Sequence, residues 1–116
     1  YDIADGDWSS DVCSSDLING ETDTPFVHED EDLVVFKDIN PAAPVHLLIV
    51  PKRHIRSVND LADADRDIVA QMIMTARDMA KRFEIDRSGY RVFFNVEKGG
   101  GQLVFHLHLH VIGGWE

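Results

Sequence analysis

The 116 residues carry a formal charge of −10, and 44% of them are hydrophobic, enough for one core in a single domain. Half of that charge falls on Asp2, Asp5, Asp7, Asp11 and Asp16, in an opening stretch without a basic residue, so the remaining body is only mildly acidic. That balance argues against general binding of DNA or RNA, whose affinity comes largely from Lys and Arg neutralising phosphates, and no apolar run approaches the length needed to span a membrane.

The lone cysteine, Cys13, allows no internal disulfide, and no basic n-region precedes an apolar core, so the expectation is a cytoplasmic protein. Residues 1–17 are rich in Asp and Ser, have no hydrophobic period and differ abruptly from the chain beyond Ile18. The run from Gly6 through Trp8 and Cys13 to Leu17 resembles an in-frame translation of a sequencing adapter. The chain therefore divides into a disordered or artefactual segment, 1–17, and a domain, 18–116.

Asn19 and Gly20 mark a turn, and Pro25 permits an extended entry into a short strand begun by Phe26 and Val27. Residues 29–32 form an acidic turn, 33–36 suit a second strand, and Pro41 and Pro44 confine 40–44 to a loop. A third strand spans 45–50 and is apolar on both faces apart from His46, as expected of a sheet covered on one side and lined by a pocket on the other. His28 and His54 fall in loop-like contexts and read as ordinary surface residues.

Asp63 can cap a helix whose first turn also carries Asp65 and Asp67. Ile68, Val69, Met72, Ile73, Ala76, Met79, Ala80 and Phe83 then recur at three- and four-residue spacing, the clearest helical stripe in the chain, and it must cover a sheet. Ser88 and Gly89 turn the chain into a fourth strand over 90–96, with Tyr90, Val92 and Phe94 on one face and Arg91, Phe93 and Asn95 on the other.

Gly99, Gly100, Gly101 and Gln102 come next, either a plain hairpin loop or a place where backbone amides converge on an anion. The next stretch alternates His106, His108 and His110 with Leu107, Leu109 and Val111, so a strand here projects three imidazoles from one face. Same-face positions lie roughly 6.5 to 7 Å apart, too far for direct ring contact but close enough to surround one small anion. A metal site is the competing chemistry, because His-x-His presents two neutral nitrogens, although that strand holds no carboxylate and Glu97 is the nearest acid upstream.

Residues 101–114, with Gly101-Gln102-Leu103-Val104-Phe105 leading into His106-Leu107-His108-Leu109-His110, resemble the signature of the histidine triad (HIT) superfamily. The run 36–55 around Phe36, Asp38 and His46 looks like its Hint branch, and the likeness extends over residues 18–114. The resemblance implies an α+β fold, an antiparallel sheet of about five strands with one long helix packed on it, in a two-fold dimer. It implies purine nucleoside 5'-phosphoramidates as substrates, no metal and no other cofactor. His108 would attack the α-phosphorus, His110 would bond a phosphoryl oxygen, His106 would orient the nucleophile through its carbonyl, and His46 would complete the pocket. Asn95, Gly101, Gln102, Leu103 and Val104 match phosphate-side positions, and Phe36, Asp38 and Ile39 match the base and ribose side.

Other activities of the same superfamily stand beside this one: dinucleoside polyphosphate hydrolysis, nucleotidyl transfer, or a nucleotide-binding interaction module. Two departures bear on specificity. Leu103 stands where some relatives carry a hydroxyl that assists the leaving group. The adapter-like segment replaces all but the end, Leu17 and Ile18, of an amphipathic helix that walls the base pocket, and the chain stops at Glu116, short of a C-terminal tail. The expectation is a chain that keeps the phosphate site and binds the base poorly.

Overall fold

The computed structural model describes residues 26–38, 41–102 and 104–115. The expected 1–17 boundary, the turn at Asn19 and Gly20, and the extended entry at Pro25 lie outside the described residues. Five strands form one antiparallel sheet: β1 Phe26–Glu29, β2 Leu33–Lys37, β3 Val45–Pro51, β4 Tyr90–Phe93 and β5 Leu109–Gly113, in the order β1-β2-β3-β5-β4. Among the described residues one long helix, α1 Arg66–Arg82, connects β3 to β4. The architecture is the α+β arrangement expected from the sequence.

Both faces of β2 and β3 are apolar, and the structure shows a separate use for each. Leu33, Val35, Leu47 and Ile49 join Leu107, Leu109 and Val111 beneath Met72, Ala76, Met79 and Ala80 of α1. Val34, Phe36, Leu48 and Val50 point the other way and pack with Val104. The helical stripe is thus the cover of one face, as its period requires. It is narrower than its spacing implied, since Ile73 is 43% exposed.

Three local expectations are corrected. Asp63 does not cap α1: it opens a 3-10 turn, Asp63–Asp65, and Asp65 stands at the N-cap position. The Asp65 carboxylate accepts from the Ala62 N–H at 2.8 Å, so it closes the turn rather than the helix. His28, expected in a loop, belongs to β1, opposite Val35. The fourth strand ends at Phe93 instead of Val96, because its last ladder partner is His110.

The histidine strand is also shorter than its alternation suggests. β5 starts at Leu109, whose partner Ile49 is the last residue of β3 it can pair with before Pro51 closes that strand. Residues 106–108 bond instead to the segment after β3, with the Leu107 N–H donating to the Ile55 carbonyl at 2.6 Å. Side-chain alternation survives the change of partner, and Leu107 remains in the helix-side core.

Candidate active site

Register places the histidines. β3 and β5 align Leu48 with His110 and His46 with Ile112, so His46 and His110 are diagonal neighbours on the face away from α1. β4 aligns Phe93 with His110 from the other side, and the two rings stack at 4.7 Å and 7°. His108 enters from the extended segment before β5, its ring 4.9 Å from that of His110. The expectation that same-face rings stay apart is corrected, since side chains lean together across a spacing the backbone holds open.

His106 does not join this group. Its Nε2–H donates to the Pro51 carbonyl at 2.9 Å, and its ring meets His54 edge-on at 4.9 Å. The third imidazole of the cluster is therefore His46, contributed by a different strand. His106 is tied to His108 through its backbone: its carbonyl accepts from His108 Nδ1–H at 2.7 Å.

These bonds fix the tautomers in sequence. His108 carries its proton on Nδ1, which leaves the lone pair on Nε2. The Ala42 N–H donates to His46 Nδ1 at 3.0 Å, so His46 carries its proton on Nε2 and donates it to His110 Nδ1, also at 3.0 Å. His110 then carries its proton on Nε2; Asn95 Nδ2, 3.5 Å away, can only donate, so the two nitrogens make no hydrogen bond in this tautomer. Of the ring nitrogens, His108 Nε2 thus keeps a lone pair and His110 Nε2 a proton, while the N–H groups of His108 and His46 are spent on the His106 carbonyl and on His110.

Burial keeps all these rings neutral. His108 is lowered to about 4, chiefly by desolvation, with the His106 carbonyl opposing. Desolvation, joined by the neighbouring His108 and His46, takes His110 to about 3. His106 falls to about 4 for the same first reason. His46 is lowered by burial and partly restored by Asp38, whose Oδ2 lies 3.5 Å from His46 Nε2.

Asp38, His46 and His110 present ligand-type atoms within 4.8 Å of one another. The Ala42 N–H decides against ligation: with His46 Nδ1 accepting, the nitrogen that faces the trio already bears a proton. The arrangement is set for hydrogen bonding rather than for holding a cation.

Of the two readings of the glycine loop, the described amides of residues 100–102 follow the plain one. The N–H groups of Gly100 and Gln102 donate to the Glu97 carbonyl, each at 3.0 Å, and that of Gly101 donates to the Lys98 carbonyl at 3.1 Å. These amides close the loop on itself instead of converging on an anion. Gln102 is buried and acts through its side chain, donating to the carbonyls of Arg56 and Val104. Gly101 lies against Asn95, while Phe36 and Val104 are packed in the second core, with the Phe36 ring 6.2 Å from Phe26. Ile39 and Leu103 lie outside the described residues.

Sequence reasoning missed three contributors. Alternation puts Phe93 on the correct face, but only the β4–β5 register brings its ring under His110. The Ala42 amide has no side-chain signal at all. His54 reads as a surface residue and is exposed, yet its ring packs on His106.

Comparison with known proteins gives the lineage. A family model described as "Scavenger mRNA decapping enzyme C-term binding" matches residues 12–114. The chain is 37% identical over 100 residues to a purine nucleoside phosphoramidase of Escherichia coli (strain K12), covering 86% of this chain and 84% of that protein. It superposes on a HIT family hydrolase from Legionella pneumophila with a TM-score of 0.86 and 42% identity, covering 89% and 92% of the two chains. It also matches a histidine triad nucleotide-binding protein from Candida albicans, with a TM-score of 0.79 and 27% identity over 89% and 74% of the chains. With more than four-fifths of the chain aligned at these identities, and its histidines clustered as described, the protein belongs to the histidine triad (HIT) superfamily and is an enzyme of that type.

Proposed function

We propose that the protein hydrolyses purine nucleoside 5'-phosphoramidates through a covalent nucleotidyl intermediate on His108. The observation that carries this reading is the 2.7 Å bond from His108 Nδ1–H to the His106 carbonyl, which puts the lone pair on Nε2 and makes that atom the nucleophile. A neutral imidazole of lowered pKa stays competent across the physiological range. As Nε2 attacks the α-phosphorus, the P–N bond to the amine breaks, and positive charge spreads onto the ring. The His106 carbonyl is already placed to accept from the proton that becomes more acidic.

His110 Nε2–H supplies a donor to a non-bridging oxygen of the phosphorus, held in that tautomer by His46 and backed by the Phe93 ring. The departing amine takes its proton from water, because Leu103 offers no hydroxyl. Water then attacks the nucleotidyl-histidine, the N–P bond breaks, the nucleoside monophosphate leaves, and His108 returns neutral. The proton lost by the attacking water replaces the one given to the amine; the nucleophile and the donor are already hydrogen-bonded in the resting site, and neither calls for a metal or a further cofactor. The names of the Escherichia coli and Candida albicans relatives support a purine nucleotide as the bound group. Asp38, buried beside His46, is assigned to the ribose side, and Phe36 and Ile39 to the base side.

A two-fold dimer with sheets joined side by side belongs to the same reading. β4 is an edge strand, and Val92 on it is 39% exposed. The decisive experiment is mass spectrometry of protein quenched during turnover of a fluorogenic adenosine phosphoramidate. A nucleotidyl adduct on His108 supports the mechanism; an adduct on another residue, or normal turnover by His108→Ala, overturns it. That variant should lose several powers of ten in kcat while still binding adenosine monophosphate.

A further inference from the structure

We propose that Glu97 is a positioning residue for this site, a latch that holds the glycine loop of residues 98–102 against the Asn95 and His110 side of the histidine cluster. Glu97 has φ 59° and ψ 174°, a backbone region that glycine enters freely and residues with a Cβ enter at a cost. The conformation persists because the side chain is tied down. Its carboxylate accepts from Ser57 Oγ at 2.7 Å and from the Arg56 guanidinium, and Asn59 Nδ2 lies 3.5 Å away. Ser57 is fully buried, so the anchor is fixed on its far side as well.

The backbone of Glu97 is equally committed. Its N–H donates to Gln102 Oε1 at 2.8 Å, and its carbonyl accepts from Gly100 and Gln102. Gln102 in turn donates to the Arg56 carbonyl at 2.8 Å, and the Arg56 guanidinium lies over the Phe105 ring at 4.5 Å. The loop is therefore stitched twice to the turn at residues 56–59, once by each side chain.

The inner surface of the same loop meets the reacting groups. A Cβ on Gly101 would sit 3.9 Å from Asn95 Cγ, and the Asn95 amide lies 3.5 Å from His110 Nε2. With the carboxylate tether gone, the strained φ of Glu97 is held by its backbone bonds to Gln102 and Gly100 alone, so residues 98–101 lie less firmly against Asn95. The loop meets the site at Asn95, read above as a phosphate-side contact, and leaves both the His108–His106 and the His46–His110 bonds in place, so its loosening falls on KM rather than on kcat.

The kinetic part of the inference rests on the phosphoramidase reading; the loop's rigidity does not, and the two are separated by measuring amide hydrogen exchange alongside turnover. Glu97→Gly keeps the backbone shape accessible and removes the tether. It should raise KM for the adenosine phosphoramidate about two- to fivefold, leave kcat within about a factor of two, and speed exchange at residues 99–102 by a similar factor. Glu97→Gln, which keeps an acceptor for Ser57 and loses the charge opposite Arg56, should fall between. On the Glu97→Gly background, Ser57→Ala and Arg56→Met should add nothing, as expected of one shared unit. Wild-type exchange in the loop of Glu97→Gly overturns the proposal, as do additive effects of the three changes or a fall in kcat at unchanged KM. Should the unaltered protein fail to turn over phosphoramidates, the functional reading falls and the exchange result still decides the latch.

Discussion

Lowering the pH from 7 to 5 should destabilise this fold by several kcal/mol, and the source is the buried histidines His106, His108 and His110. In the unfolded chain each imidazole titrates near 6.5, whereas burial holds His106 and His108 near 4 and His110 near 3. A folded pKa below the unfolded one means that the unfolded chain binds the proton first. The stabilisation is then complete above about pH 6.5 and is lost as the pH falls toward 4 and then 3. Per histidine the slope approaches about 1.4 kcal/mol per pH unit, and one ring shifted to about 4 forfeits about 2 kcal/mol between pH 7 and 5. The loss for these three histidines lies between about 2 kcal/mol for a single ring and about 6 kcal/mol for all of them, a large share of the roughly 5 to 15 kcal/mol that a domain has. Asp30, Asp65 and Glu97 are held below their usual carboxylate range and keep their charge through this window. Urea unfolding followed by circular dichroism at pH 7, 6 and 5 reads the effect. Replacing His106 by Asn should lower the pH slope by about one proton, whatever it does to the absolute stability. A free energy of unfolding that stays flat from pH 7 to 5 would refute the placement of neutral, buried rings.

Two further perturbations address the relay and the core. His46→Ala removes the donor that holds His110 in its Nε2–H tautomer, so kcat should fall about 10- to 100-fold with a smaller change in KM, measured by steady-state turnover; unchanged kcat would sink the relay. Met72→Ala, at a fully buried position under the sheet, should cost about 2 to 5 kcal/mol in urea unfolding at pH 7, and a loss below about 1 kcal/mol would show that α1 does not seal this face.

Much of the fold is legible in residue pattern because the pattern is the physics. The spacing of Met72, Ala76, Met79 and Ala80 is a helical face, and the doubly apolar Val45–Pro51 strand is a sheet interior. What escapes is whatever depends on a partner. β5 and β4 are shorter than their alternation because their pairing stops short of it, at Ile49–Leu109 for one and at Phe93–His110 for the other. The glycine loop left two readings open for a related reason: glycine marks where amides are accessible, not which carbonyls will claim them. Glu97 offered no clue, since nothing in the identity of a glutamate announces a positive φ.

The site shows why three histidines spaced by two do not make three equivalent groups. Identical side chains on one face acquire different roles only through the bonds their second nitrogens make, and those partners come from elsewhere in the chain: the His106 carbonyl for His108, the Ala42 amide by way of His46 for His110, and the Pro51 carbonyl for His106. Under the proposed mechanism the first assignment yields a nucleophile, the second a donor, and the third a strut. Because each is imposed by a backbone group, no single side-chain replacement outside the cluster can reverse it. The chemistry is therefore written less in the His-x-His-x-His spacing than in the register that brings β3 to β5 and folds residues 106–108 back onto the end of β3.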